Sequence, residues 1–268
     1  MSFEALGLHA SLVQAVADTG YTTPTPVQAQ AIPAAIAGRD LLVSSQTGSG
    51  KTAAFMLPAL NKLANAEETP AGKTAAQEAQ AARAKGERVR FKAAQPKMLV
   101  LTPTRELALQ VSAATEQYTA HMRRLRCVSI LGGMPYPKQM QLLAKNPEIL
   151  VATPGRLIDH MESGKIDFSQ LEILVLDEAD RMLDMGFIDD IEKICSRLPP
   201  RRQTMLFSAT MDGQIEKLTK KFLKDPVHVQ VSRTASTAET IDQKLVKVSS
   251  KPEDKRSGLR DLIRSAEG

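Results

Sequence analysis

The chain has no tryptophan, three tyrosines, seven phenylalanines and two cysteines in 268 residues. With so few aromatics, the interior has to be built from aliphatic side chains. Cys127 and Cys195 are far apart and each sits in an apolar segment, so they read as reduced thiols packed like small hydrophobes rather than as a disulfide frame or a metal site. Histidine is equally sparse. His9, His121, His160 and His228 stand apart with no partner at ligand spacing, and are expected to be ordinary surface or core residues. No apolar run approaches the roughly 20 residues of a membrane helix. The opening segment has neither the basic start nor the apolar stretch of a secretion signal, so a cytoplasmic location is expected. Neither sign of charge dominates: 35 Lys and Arg stand against 30 Asp and Glu, a formal charge of +5. That balance admits a polyanionic partner without requiring one.

What the chain does have is alternation. Short apolar runs recur at 41–43, 98–101, 128–131, 149–151, 173–176 and 204–207. Between them lie segments with helical spacing, such as Leu107, Val111, Ala114 and Tyr118, or Ile188, Ile191, Ile194 and Leu198. Buried strands alternating with helices predict an α/β fold with a parallel sheet between helical layers, and ligands collecting at the carboxyl ends of the strands. Two helical segments, 11–18 and 27–37, precede the first strand as an N-terminal annex spanning 1–38, and a main domain is expected over 39–231. Within it, residues 64–97 are alanine-rich and charged with little to bury, the signature of a flexible insertion. A polar stretch at 232–240 reads as a linker, followed by a strand at 244–248 and a helix at 254–263.

Two of the strand ends carry chemistry. After the run at 41–43 come Ser44, Ser45, Gln46, Thr47, Gly48, Ser49, Gly50, Lys51 and Thr52, then a helix. Strand, glycine-rich loop and helix is what a phosphate requires: glycines turn backbone N–H groups toward the anion, the helix N-terminus adds its dipole, Lys51 reaches the β- and γ-phosphates, and Thr52 can hold Mg²⁺. The strict pattern has glycine where this chain has Ser45, a residue small enough to serve. After the run at 173–176 come Asp177, Glu178, Ala179 and Asp180. Acids at the mouth of a buried strand need a compensating charge, which Mg²⁺ on ATP phosphates supplies, with Asp177 as the metal carboxylate and Glu178 set to orient or deprotonate a water. Helix capping by Asp177 or Asp180 competes as an explanation, but accounts for one acid only.

The run Asp177-Glu178-Ala179-Asp180 spells the signature of the DEAD-box RNA helicases, and the chain resembles a bacterial-type member of that family over nearly its whole length. The resemblance implies a three-layer RecA-like domain with a mainly parallel sheet, using ATP and Mg²⁺ and holding single-stranded RNA by its backbone. Phe3, Tyr21 and Gln28, the last two within Gly20-Tyr21 to Pro24-Thr25-Pro26-Val27-Gln28, are similar to the family's adenine-recognition element. Pro103, Thr104 and Arg105, the pair Gly132-Gly133, and Thr153, Pro154, Gly155 and Arg156 resemble its RNA-contacting elements in the family's order. Their hydroxyls, glycine N–H groups, helix N-termini and guanidinium groups suit phosphates. Ser208, Ala209 and Thr210 resemble the element coupling ATP state to strand separation, its hydroxyls expected on Asp180. The resemblance also implies a second RecA-like domain, of which 241–268 would be only the start, here in Ile241, Gln243, Val246, Val248, Lys255 and Leu259. A monomeric piece with weak turnover is therefore expected. An idle RNA clamp and a different P-loop enzyme are the alternatives. Intact Lys51, Thr52, Asp177 and Glu178 speak against the first, and the segment around Gln28 against the second.

Overall fold

A computed structural model describes residues 2–46, 48–68, 93–122, 125–231, 246–248 and 252–265. Thr47, most of the expected insertion, the expected linker, Ile241 and Gln243 lie outside the described residues. The chain divides into two compact units, 1–231 and 232–268.

In the first unit, seven strands form one sheet: β1 (Leu41–Ser44), β2 (Met98–Leu101), β3 (Cys127–Ile130), β4 (Ile149–Ala152), β5 (Ile173–Leu176), β6 (Gln203–Ser208) and β7 (Val227–Gln230). Their order is β3-β4-β2-β5-β6-β1-β7, with every pairing parallel. Six of the seven follow the apolar runs. The seventh, β7, has no such run to announce it: it is an edge strand of alternating Val-His-Val-Gln in which only Val229 is buried.

The central strands are buried on both faces, as helices covering both sides of a parallel sheet require. Successive residues alternate between two cores. Met98, Val100, Ile173, Val175, Met205 and Phe207 face one; Leu99, Leu101, Leu174, Leu176 and Leu206 face the other. The first core is closed by α1 (Ala10–Asp18), α2 (Pro26–Ile36), α3 (Lys51–Glu68) and α4 (Arg105–Tyr118). The second is closed by α5 (Tyr136–Leu143), α6 (Pro154–Glu162), α7 (Ala179–Asp184), α8 (Ile188–Ser196) and α9 (Gly213–Phe222). This split follows from winding direction. Connections from β1 to β2 and β2 to β3 run one way along the sheet and place α3 and α4 on one face. The later connections run the other way and place their helices opposite, as a fixed crossover hand demands.

The annex residues are part of the same core: Phe3, Leu6, Leu12, Val27 and Ile32 pack into the first cluster. Both ends of the expected insertion also belong to the fold. Leu63 and Ala64 are buried on α3, and Ala94 is fully buried and bridges Ile166. Cys195 is buried, Cys127 half-buried, and both are free. In the second unit α10 (Pro252–Ser265) covers the expected helix, whereas Val246, Lys247 and Val248, the described part of the expected strand, are not in a strand.

Candidate nucleotide site and nucleic-acid face

The sheet order sorts the marked residues into two neighbouring groups. The loops after β1, β5 and β6 carry the phosphate loop, the acidic run and Ser208-Ala209-Thr210. The loops after β3, β4 and β2 carry Gly132-Gly133, Thr153 to Arg156, and Pro103 to Arg105.

The phosphate loop leaves β1 with Ser45 N donating to the Ser208 carbonyl, 3.1 Å. Gly48 and Gly50 take φ of 80° and 87°, which a side chain would resist. Gly50 is doubly required, because a Cβ there would fall 2.4 Å from Gln28 Nε2. The loop is clasped from α2: Thr25 Oγ1 donates to the Ser49 carbonyl at 2.8 Å and Gln28 Nε2 to the Gly50 carbonyl at 3.1 Å. Ser45 accepts from the Ser49 hydroxyl, 3.1 Å, so the residue that departs from the strict pattern braces the loop.

Gln28 also completes a capping box with Thr25, whose N–H it accepts at 3.0 Å. Each end of its amide thus uses one of its two hydrogen-bonding capacities on the protein. Tyr21 is 56% exposed at the edge of the cleft. Phe3 is in the core at 4% exposure and is not on the cleft wall, and Gln46 is exposed. The cleft, about 570 Å³, is bounded by the phosphate loop, the Asp177 strand end and a face of α4 through Leu107 and Val111.

Lys51 and Asp177 are 8% and 5% exposed on this cleft, and neither Lys51 Nζ nor Asp177 Oδ1 has a hydrogen-bond partner among the described residues. Burial pushes the Asp177 carboxyl up to about 6, against the opposing pull of Lys51. Buried charged groups that leave hydrogen-bonding atoms unused cost several kcal/mol unless a ligand completes them, and the attraction between Lys51 and Asp177 offsets only part of that. An ammonium and a carboxylate oxygen, both without hydrogen bonds, suit a polyphosphate carrying a divalent cation, and Thr52 lies in the same cleft. Among the described residues no three His, Cys, Asp or Glu side chains gather as a metal cage.

Glu178 adopts a left-handed backbone, φ 51° and ψ 52°, a strained conformation for this residue type. It is tied to Arg181, Nη1 to Oε2 3.4 Å, a cleft-lining cation that sequence patterns do not mark. Asp180 Oδ2 accepts from the N–H groups of Ala209 and Thr210 at 3.0 and 3.1 Å. The expected pairing is therefore made by the backbone, not by hydroxyls. The Ser208 hydroxyl turns instead to the Thr210 carbonyl, 2.7 Å.

On the other group, Thr104 caps α4 by accepting from Leu107 N, and Thr153 Oγ1 accepts from Gly132 N at 3.4 Å. Arg156 Nη1 donates to the Met134 carbonyl, 2.9 Å. A Cβ on Gly133 would fall 2.6 Å from Arg105 Nη1. The three segments, dispersed in sequence, meet at one rim of the sheet.

A glycine loop between strand and helix, sharing a cleft with a carboxylate from the strand end two places along a doubly wound sheet, defines a P-loop nucleotide-binding domain of RecA-like build. The chain belongs to the DEAD/DEAH box helicase family, whose model matches residues 25–218. It is similar to the ATP-dependent RNA helicase DeaD of Klebsiella pneumoniae, 43% identical over 242 residues, covering 90% of this chain and 34% of that protein. The protein of the same name from Mycobacterium tuberculosis is 41% identical over 250 residues, covering 93% of this chain and 40% of its own length. The chain thus spans little more than a third of the relatives it matches. Among the described residues, no helix is long and apolar enough to cross a membrane.

Proposed function

We propose that this chain is the ATP-binding half of an ATP-dependent RNA helicase, working with a second RecA-like domain outside this sequence to separate short RNA duplexes. The observation that carries it is a pair of atoms without hydrogen bonds, Lys51 Nζ and Asp177 Oδ1, buried in one cleft. Lys51 would take the β- and γ-phosphate oxygens, the glycine loop's N–H groups their neighbours, and Tyr21 and the free capacities of Gln28 the adenine. Asp177, partly through water, and Thr52 would hold Mg²⁺, which supplies charge neutralisation on the phosphates. Glu178 orients or deprotonates the attacking water once released from Arg181. Arg105, Arg156, the Gly132-Gly133 turn and the helix N-termini after Pro103 and Pro154 hold RNA phosphates without reading bases. Arginines from the second domain would complete the γ-phosphate site, groups that contribute roughly 10³ to 10⁵ in rate in other phosphoryl-transfer enzymes.

The test compares this chain with one extended through the second domain. Nucleotide binding is expected in both and lost in Lys51→Ala. Turnover is expected only in the longer protein, stimulated by RNA above DNA of equal length through the 2′-hydroxyl. Failure of this chain to bind nucleotide would remove the ATP assignment, and equal stimulation by DNA would remove the RNA assignment.

A further inference from the structure

Behind the Gly132-Gly133 turn lies a group of side chains that neither nucleotide nor phosphate chemistry uses. Gln139 on α5 is fully buried and donates through Nε2 to the Leu131 carbonyl at 3.1 Å and the Met134 carbonyl at 2.9 Å, the two ends of the turn. That fixes the amide, so its oxygen faces His160 Nε2 at 3.3 Å. An amide oxygen only accepts, so the imidazole proton sits on Nε2. His160 is itself fully buried, and Nδ1 has no hydrogen-bond partner among the described residues.

Over this imidazole lies Tyr136, the first residue of α5, with ring centroids 4.5 Å apart and planes 9° from parallel. Tyr136 is 37% exposed. The imidazole covers one ring face, and the exposure belongs to the rest of the residue. The ring follows the glycine pair by three residues, and its backing histidine lies four residues beyond Arg156, about 6 Å along α6. An aromatic ring already held flat loses little freedom when a second ring is laid on it.

We propose that Tyr136 is a nucleobase-stacking platform: a base of the strand whose phosphates lie along Arg105, Gly132-Gly133 and Arg156 stacks on the ring face turned away from the imidazole, with His160 as backing. This rests on the RNA reading of that rim. Every base has a π-face, so the contact adds affinity without sequence preference, and it gives a backbone-holding surface one fixed register point. An aliphatic side chain would roof His160 equally well, whereas a flat and exposed ring is what a base requires.

The experiment measures binding of this chain to a short end-labelled single-stranded RNA by fluorescence anisotropy, with one abasic site moved along the strand. Wild type is expected to lose about 5- to 100-fold in affinity at one abasic position. Tyr136→Ala should lose a similar factor on intact RNA and nothing further at that position, while Tyr136→Phe should bind as wild type does. Equal affinity of Tyr136→Ala and wild type for intact RNA overturns the proposal. So does the absence of any abasic-sensitive position in wild type, a result that needs no variant to fold. If wild type holds nucleotide but no RNA at all, the RNA reading fails and takes this proposal with it. Tight RNA binding indifferent to abasic sites sinks the platform alone.

Discussion

Asp177 is a residue whose role and stability cost are opposed. Its carboxyl is pushed up to about 6 from an ordinary 3.8, mainly by burial. A raised carboxyl pKa means the folded state favours the protonated form. The cost of ionising it is therefore fully present above about pH 6 and disappears as pH falls toward 4. Asp177→Asn is expected to stabilise the ligand-free protein by on the order of 1–3 kcal/mol at neutral pH, and the gain should vanish near pH 4. Thermal unfolding of the two proteins across that pH range measures it, and no gain at neutral pH would mean that Lys51 fully offsets the burial of Asp177. The same variant should lose Mg²⁺-dependent nucleotide affinity. Gly50 gives a second contrast. Gly50→Ala meets both a left-handed φ and Gln28 Nε2, whereas Gly164→Ala meets only φ 63° with open space around the Cβ. The first is expected to cost about 1–3 kcal/mol and nucleotide binding, the second about 1 kcal/mol and no binding. Chemical denaturation and nucleotide titration of the pair separate the two effects.

At the scale of elements, the strands with continuous apolar runs are legible because both faces of a parallel sheet are buried, leaving no polar residue to interrupt Ile173 to Leu176 or Ile149 to Ala152. The edge strand β7 escapes such a reading because its exposed face is filled by His228 and Gln230. Motif residues are legible as chemistry, but not their immediate partners. Asp180 is marked by its motif, yet its bonds go to backbone N–H groups that no residue identity encodes. Phe3 resembles a base-facing aromatic and lies in the core, since a phenylalanine's side of a wall depends on packing, not spelling. Gln139 and His160 carry no pattern, because a buried polar pair is defined by what surrounds it. The Asp180 clasp yields its own test. Asp180→Ala removes the acceptor of the Ala209 amide and leaves the Thr210 amide only its longer bond to Ser208 Oγ, 3.3 Å, so at this exposed site it should cost about 0.5–1.5 kcal/mol. Hydrogen exchange at those two amides should quicken; unchanged protection there would mean that the clasp is not what holds the β5 and β6 loops together.

For the whole molecule, the +5 formal charge says little, whereas the gathering of Arg105 and Arg156 at one rim says more. If both neutralise phosphates, Arg105→Ala and Arg156→Ala should each weaken single-stranded RNA binding at all sequences alike. Each should also flatten the slope of log affinity against log salt by about 0.7. A slope identical to wild type in either variant would take that arginine out of the interface.

The sheet's winding in two directions has one last consequence. The loops proposed for nucleotide and those proposed for RNA share a single edge, joined through β2 and β5, which pair from Met98 with Ile173 to Leu101 with Leu176. Any third body spanning that edge engages both sets at once, so the two ligands become energetically linked without the sheet itself having to bend. Whatever factor RNA then adds to the grip on ATP, ATP must return to the grip on RNA, and measuring either one fixes the other.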